Sequence, residues 1–450
     1  VRFAWETVAE KLHRLTRVRD RRAIRRELAD AEPVDIAEAI LRAKPEDGAR
    51  ILHALEPARA GEVLVELPPS TARSLAVKLP PDAIARYLDV LEMDDAAALL
   101  DELPEEARGP LLQAIPEQDA AEIRRLLAYP RESAGRLMTE NFPRVQMHWT
   151  VDDTLRMLRD AKGKYGATVY LYVVDDGGRL LGVCPLRRLV EEEPDVRVEA
   201  IMNTDVVTCP PDMDQEDVAM LFMRYDFLSL PVVDVDGRLL GIVMLDDVLD
   251  VVEEEETEDI YRLAAVQSGR EPYLALGIWS LAKRRFGWLL ILFIAGTLTG
   301  HVLLHYQSEL DQLLGLAVFI PLLMGTGGNA GAQAATMVTR AIALDELVFR
   351  DLWRVLGREF ATGLLVGLLL GAVGYLRAAT WHLTIGLPLV VMLSQTAIVI
   401  WATTIGAGVP LLAHRLGWDP ALMSSPALST LVDATGLVIY FEIAHLLLPL

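Results

Sequence analysis

The stretch "LYVVDDGGRLLGVCPLRRLV" (171–190) returns 59 residues later as "LPVVDVDGRLLGIVMLDDVL" (230–249). Each copy reads as a strand, an Asp/Gly turn, a second strand and a helix. Each follows a matching lead-in, "MTENFPRVQMHWTVDDTLRML" (138–158) and "MNTDVVTCPPDMDQEDVAMLF" (202–222). The duplication predicts a tandem pair of small α/β domains over 131–199 and 200–249. The chain on either side of this pair has a different character.

Toward the N-terminus, Leu55, Leu67, Leu79, Leu91, Leu103 and Ile115 recur every twelve residues. Pro68, Pro80, Pro104 and Pro116 directly follow four of them, and Pro57 stands two after Leu55. Proline is tolerated in the first turn of a helix, where its missing N–H is not needed. The spacing predicts short helices stacked as an all-α superhelix over 1–130. Toward the C-terminus, "VLDVVEEEETEDIYRLAAVQSG" (248–269) predicts an acidic connecting helix over 250–270, with six acids between Glu253 and Asp259. Such a run suits a solvated face, and its position also suits a coupling element.

Residues 271–450 are apolar. Runs long enough to cross ~30 Å of hydrocarbon fall near 286–304, 313–339, 360–379, 387–412 and 426–448. Lys283, Arg284 and Arg285 precede the first run, and Arg340, Arg350, Arg354 and Arg358 separate the second from the third. Arg415 lies between the fourth and fifth, whereas the two alternate loops hold only Arg377. The positive-inside rule then puts the N-terminal domains in the cytoplasm and the C-terminus outside. The N-terminus has no apolar signal-peptide core. Cys184 and Cys209 form no CxxC and no disulfide framework, which suits a reducing cytosol.

Charge separates the two halves. Residues 271–450 carry nine Lys and Arg against ten Asp and Glu, net −1, so nearly all of the formal −21 lies in 1–270. So acidic a surface argues against nucleic acid as a partner and suits the handling of cations.

Inside the apolar half, Asp433 interrupts "ALSTLVDATGLVIYFEIAHLLL" (427–448). A carboxylate at mid-membrane costs at least ~2.5–3.5 kcal/mol. The apolar runs hold no Lys, so a mobile cation is the economical partner. A protonated Asp in a packed core is the structural alternative. Glu442, nine residues on, lies about half a turn round the helix and reads as an outer-vestibule acid. His301, His305, His382 and His445 fall near span ends as interfacial residues. In "PLLMGTGGNAGAQAATMVTR" (321–340), Gly325, Gly327, Gly328 and Gly331 allow close helix approach. Asn329 and Gln333 share a helical face, to line a path or to bond a neighbouring helix. Oxygen donors without a Cys or His cluster suit Mg²⁺, which keeps its waters and needs few protein ligands.

The duplicated unit resembles a pair of cystathionine-β-synthase (CBS) domains. The whole chain resembles the MgtE family of magnesium channels, through "GTGGNAGAQ" (325–333), "DPALMSSPALSTLVDATGLVIY" (419–440) and "YDFLSLPVVD" (225–234). The resemblance implies no enzyme, but a homodimeric channel in the inner membrane of a bacterial-type cell. It implies that Asp433 binds hydrated Mg²⁺ in a pore lined also by Ser429, Gly328, Asn329 and Gln333. It further implies Mg²⁺ sensing by Asp94, Asp95, Asp214, Glu216, Asp226, Asp247, Asp250, Glu255, Glu258, Asp259 and Asp419, with the connecting helix as a plug. Here Ala98, Ala332, Ala334 and Ser425 replace polar family residues. The Thr/Ser-x-x-Asp turn with which some CBS pairs bind ATP is absent. "CPLRR" (184–188) and "MLDD" (244–247) lack its hydroxyl and Arg188 replaces its acid, which disfavours nucleotide although Tyr170 and Arg187 remain. The alternatives are a less selective Mn²⁺, Co²⁺ or Ca²⁺ channel, a CBS-regulated membrane enzyme, and a non-conducting membrane sensor. No HExxH or Ser/Lys dyad supports the enzyme.

Overall fold

A computed structural model describes residues 21–161, 165, 169–267, 269, 273, 276–344, 346–381, 385–419 and 425–448. His382 and the stretch 420–424 of the C-terminal motif lie outside the described residues. The chain divides into two compact units: 1–255 with 270–275, and 256–269 with 276–450.

In the first unit, helices begin at residues 33, 45, 57, 69, 81, 93, 105 and 117, a strict twelve-residue step. Proline opens the first five, and the residue before each is extended, as proline requires of its neighbour. Along most of the run each helix packs on the next but one, which winds the row into a superhelix. Leu55, Leu67, Leu79, Leu91, Leu103 and Ile115 are all buried in its core. Each buried side chain of this kind stabilises by ~1.5–3 kcal/mol.

The duplicated units form antiparallel pairs Tyr170–Val174 with Leu180–Pro185, and Ser229–Val233 with Leu239–Met244. A short parallel strand, Arg144–Gln146, joins the first pair. In both turns an aspartate, Asp175 or Asp234, accepts from the backbone N–H groups two and four residues on. Gly178 and Gly237 then take φ of +80° and +78°, where a Cβ is penalised. The hairpins lean on each other: Leu180 N–H donates to Gly237 and Leu239 N–H to Gly178, each at 3.0 Å. Thr139, in the first lead-in, bridges Ile242 of the second copy, and Asn203, in the second, bridges Val183 of the first. The crossover seats a lead-in methionine on a glycine each time. A Cβ on Gly241 would fall 2.7 Å from Met138, and one on Gly182 3.1 Å from Met202.

In the second unit, among the described residues, five helices are long and apolar enough to cross a membrane: Ile278–His305, Leu314–Ala343, Phe349–Trp381, Leu387–Arg415 and Pro426–Leu447. The first and third begin earlier than the apolar runs suggest, and the other three begin within one residue of them. Lys283, Arg284 and Arg285 lie inside the first helix, and Arg354 and Arg358 inside the third, not in loops. Helical hydrogen bonding continues past the hydrocarbon edge, so hydropathy marks the apolar part only. The fourth span packs on the second, third and fifth; the first packs on the fifth and has no buried residue. Gly327 lies against Ile398, Gly331 against Ala402, and Gly367 and Gly371 against Thr396. Gly325 has open space around it, so its role in packing, expected from the sequence, is not found.

Candidate cation sites

Two helix starts bring acids together in the first unit. Asp94 and Asp95 lie in the first turn of Met93–Glu102, and Asp246 and Asp247 in the first turn of Leu245–Leu263. A helix N-terminus favours a carboxylate, which explains the local placement. Their assembly into one cluster has the opposite effect. Burial first, then Asp95 and Glu92, raise the Asp94 carboxyl to about 8. Burial, then Asp94 and Asp246, raise Asp247 to about 9. Asp95 rises to about 6 through burial, Glu92 and Asp250. Glu66, Glu92 and Asp250 are raised too, each by burial and then by a neighbouring acid. Asp94 is buried, and its Oδ1 has no hydrogen-bond partner. No basic side chain offsets this cluster among these contributions. It is held either by protons or by a cation.

Other acids of the first unit are spent differently. Asp214 caps the helix Gln215–Tyr225, accepting from Glu216 N–H at 2.9 Å. Asp226 ends the same helix in the left-handed conformation, so the two acids lie ~18 Å apart along it. Glu255 accepts from the buried Gln215 side chain at 2.6 Å.

A second acid group lies in the membrane unit. Arg262 forms an ion pair with Glu258, one turn earlier on the same helix, and donates to Asp419 at 2.5 Å. Burial and then Asp419 raise the neighbouring Asp259. This group therefore contains its own cation.

Among the spans, Asp433 is half-buried, with no hydrogen bond or ion pair to any described residue. Two residues on, Thr435 accepts from Trp401 Nε1 at 2.9 Å, tying the fourth span to the fifth. Ser429 packs against Gly328, where a Cβ would fall 2.5 Å from its hydroxyl. Asn329 and Gln333 are exposed on the second span, and Gln333 lines an open groove of about 410 Å³ with Ala332, Thr336 and Met337. Glu442 accepts from Tyr306 at 2.7 Å, and that ring stacks on Phe441 at 4.7 Å, which attaches the first span to the fifth. Among the described residues, no three His, Cys, Asp or Glu side chains form a group that could hold a metal directly. That arrangement is compatible with an ion held through its water shell.

Sequence reading missed Glu66, Glu92, Asp246, Arg262 and Tyr306. Glu92 stands two residues before Asp94 and Asp246 adjoins Asp247, which was the available signal. Arg262 offered its four-residue spacing from Glu258, but its second partner lies 157 residues away, and that of Tyr306 lies 136 away.

Known proteins align along most of the chain. Residues 31–132 match the MgtE intracellular N domain, 134–195 and 198–254 the CBS domain, and 320–443 the MgtE divalent cation transporter family. The magnesium transporter MgtE of Thermus thermophilus is 45% identical over 73% of this chain and 73% of its own length. That of Bacillus subtilis is 34% identical over 72% of each. The crystal structure of the cytosolic domain of the Mg²⁺ channel MgtE in complex with ATP is 39% identical. It covers 54% of this chain and 99% of its own at a TM-score of 0.52. The soluble part of a magnesium transporter gives 27% identity, 56% and 99% coverage, and a TM-score of 0.51.

Proposed function

Because the chain belongs to the MgtE family of divalent cation transporters, we propose that it is a magnesium channel of the inner membrane, closed by cytosolic Mg²⁺. The N-terminal domains lie in the cytoplasm and the C-terminus outside, and two copies form the pore. The observation that carries the reading is Asp433, a carboxylate in an apolar helix with no partner among the described residues. Charged groups in spans face a bundle interior or a water-filled path. One carboxylate per copy holds a hydrated ion loosely enough to release it. Ser429 and Gly328 position the fifth span, and Asn329 and Gln333 offer amides to the ion's waters.

Closure follows from the acids. Without Mg²⁺, charge on Asp94, Asp95, Asp247 and Asp250 pushes the cytosolic elements apart. With Mg²⁺, a divalent ion offsets that charge and the compact arrangement prevails. Asp214, Glu216, Asp226, Glu255, Glu258, Asp259 and Asp419 extend the same regulation. Nucleotide carries less weight. Arg187 is ion-paired with Glu191 at 2.8 Å, and exposed Arg188 stands where the family turn has an acid. Calorimetric titration with ATP is expected to show no saturation below millimolar concentration.

Mg²⁺ uptake into proteoliposomes tests the pore. Asp433→Ala is expected to lower flux at least roughly tenfold, the scale of about 1.4 kcal/mol of lost ion stabilisation. Equal flux from the folded variant and the parent would falsify the assignment.

A further inference from the structure

We infer that Arg262 is a built-in counter-cation that sets how much Mg²⁺ the chain needs before it closes. The inference rests on the regulatory reading above and names the residue that tunes it. Arg262 pairs with Glu258 and Asp419 at once, so it joins the end of the acidic helix to the segment just before the fifth span. Asp259 adjoins the same group, since Asp419 contributes to raising its carboxyl. Two of the proposed Mg²⁺-sensing acids therefore share one guanidinium, with a third beside them. Guanidinium is always charged and cannot be removed by pH.

A tethered monovalent cation and a free divalent ion are alternatives at the same carboxylates. With the arginine in place, Mg²⁺ binds only by displacing it or by sharing its acids, and the apparent affinity falls. Arg262 also spares these acids from repelling one another when Mg²⁺ is scarce, so the local arrangement persists without the ion. Its side chain is about one-third exposed. Water screening keeps the pair modest and leaves a route for its displacement.

The test uses the full chain in detergent and in proteoliposomes. Mg²⁺ is titrated while protease protection of residues 256–267 and ion flux are followed in the parent, Arg262→Gln and Arg262→Lys. Arg262→Gln is expected to shift half-maximal protection and closure to roughly two- to fivefold lower Mg²⁺, the range of a partly exposed ion pair. Arg262→Lys, which retains the charge, is expected to stay near the parent. An unchanged midpoint in Arg262→Gln overturns the inference. So does a higher midpoint, which would make the arginine a strut of the closed form. A parent with no Mg²⁺ response overturns the regulatory reading, and the inference with it. The protection readout does not depend on conduction, so a damaged pore does not mimic either result.

Discussion

One helix, Leu245–Leu263, supplies acids to two groups that solve the same problem in opposite ways. At its start, Asp247 and Asp250 join Glu92, Asp94 and Asp95, with burial and like charge, Asp246 among its sources, raising these five carboxyls and no basic group offsetting them among these contributions. Near its end, Glu258 shares Arg262 with Asp419, and Asp259 lies beside them. The first group is unstable as a set of charges and must take up protons or a cation. The second is already neutralised in part and exchanges one cation for another. A strong response to Mg²⁺ is therefore expected from the first, and adjustment of its threshold from the second.

The largest expected effect comes from neutralising the uncompensated group. In Asp94→Asn with Asp247→Asn, the helix Met93–Glu102 should resist hydrogen exchange in Mg²⁺-free buffer. Its Mg²⁺ dependence should shrink roughly tenfold or vanish. Parent-like dependence in that variant would end the contrast between the two groups.

Protons should imitate the cation at the first group. Its folded carboxyls titrate above their unfolded values, so the folded state binds more protons between them. Their contribution to stability is full below about pH 4 and is lost as pH rises through about 6 to 9. Without Mg²⁺, protection of Met93–Glu102 is expected to fall over that window by on the order of 2 kcal/mol, and Mg²⁺ should restore it. A flat profile would show that the acids do not govern packing here. The smallest effect belongs to the rim. Glu66 is less buried than Asp94, and Glu66→Gln should move the Mg²⁺ midpoint by less than about threefold. A shift as large as that of the double variant would relocate the centre of the cluster.

Much of this architecture was legible in the sequence. A twelve-residue leucine and proline period translated directly into helix starts, because proline and buried leucine act locally. The 59-residue duplication gave both hairpins, down to their Asp and Gly turns. Asp433 stood out because an acid in an apolar run violates a one-dimensional rule. The helix ends were less legible. Helix Leu245–Leu263 starts at the end of a strand, so the connecting segment expected from residue 250 is the continuation of an earlier helix. Its acids read as one charged run, although the fold divides them between two environments.

The sequence by itself determined the elements, their repeats, the five spans and the acids available for cations. Period, capping and hydropathy act over a few neighbouring residues, and one dimension records them. Only the tertiary structure decided which acids share a space and which receive a guanidinium. That outcome depends on burial and on distances between residues far apart in the chain. Buried Asp94 and half-buried Asp247 become a couple of like charges, while Arg262 reaches Asp419 across 157 residues. Electrostatic energy follows separation in space and the surrounding dielectric, and neither is written in the order of residues.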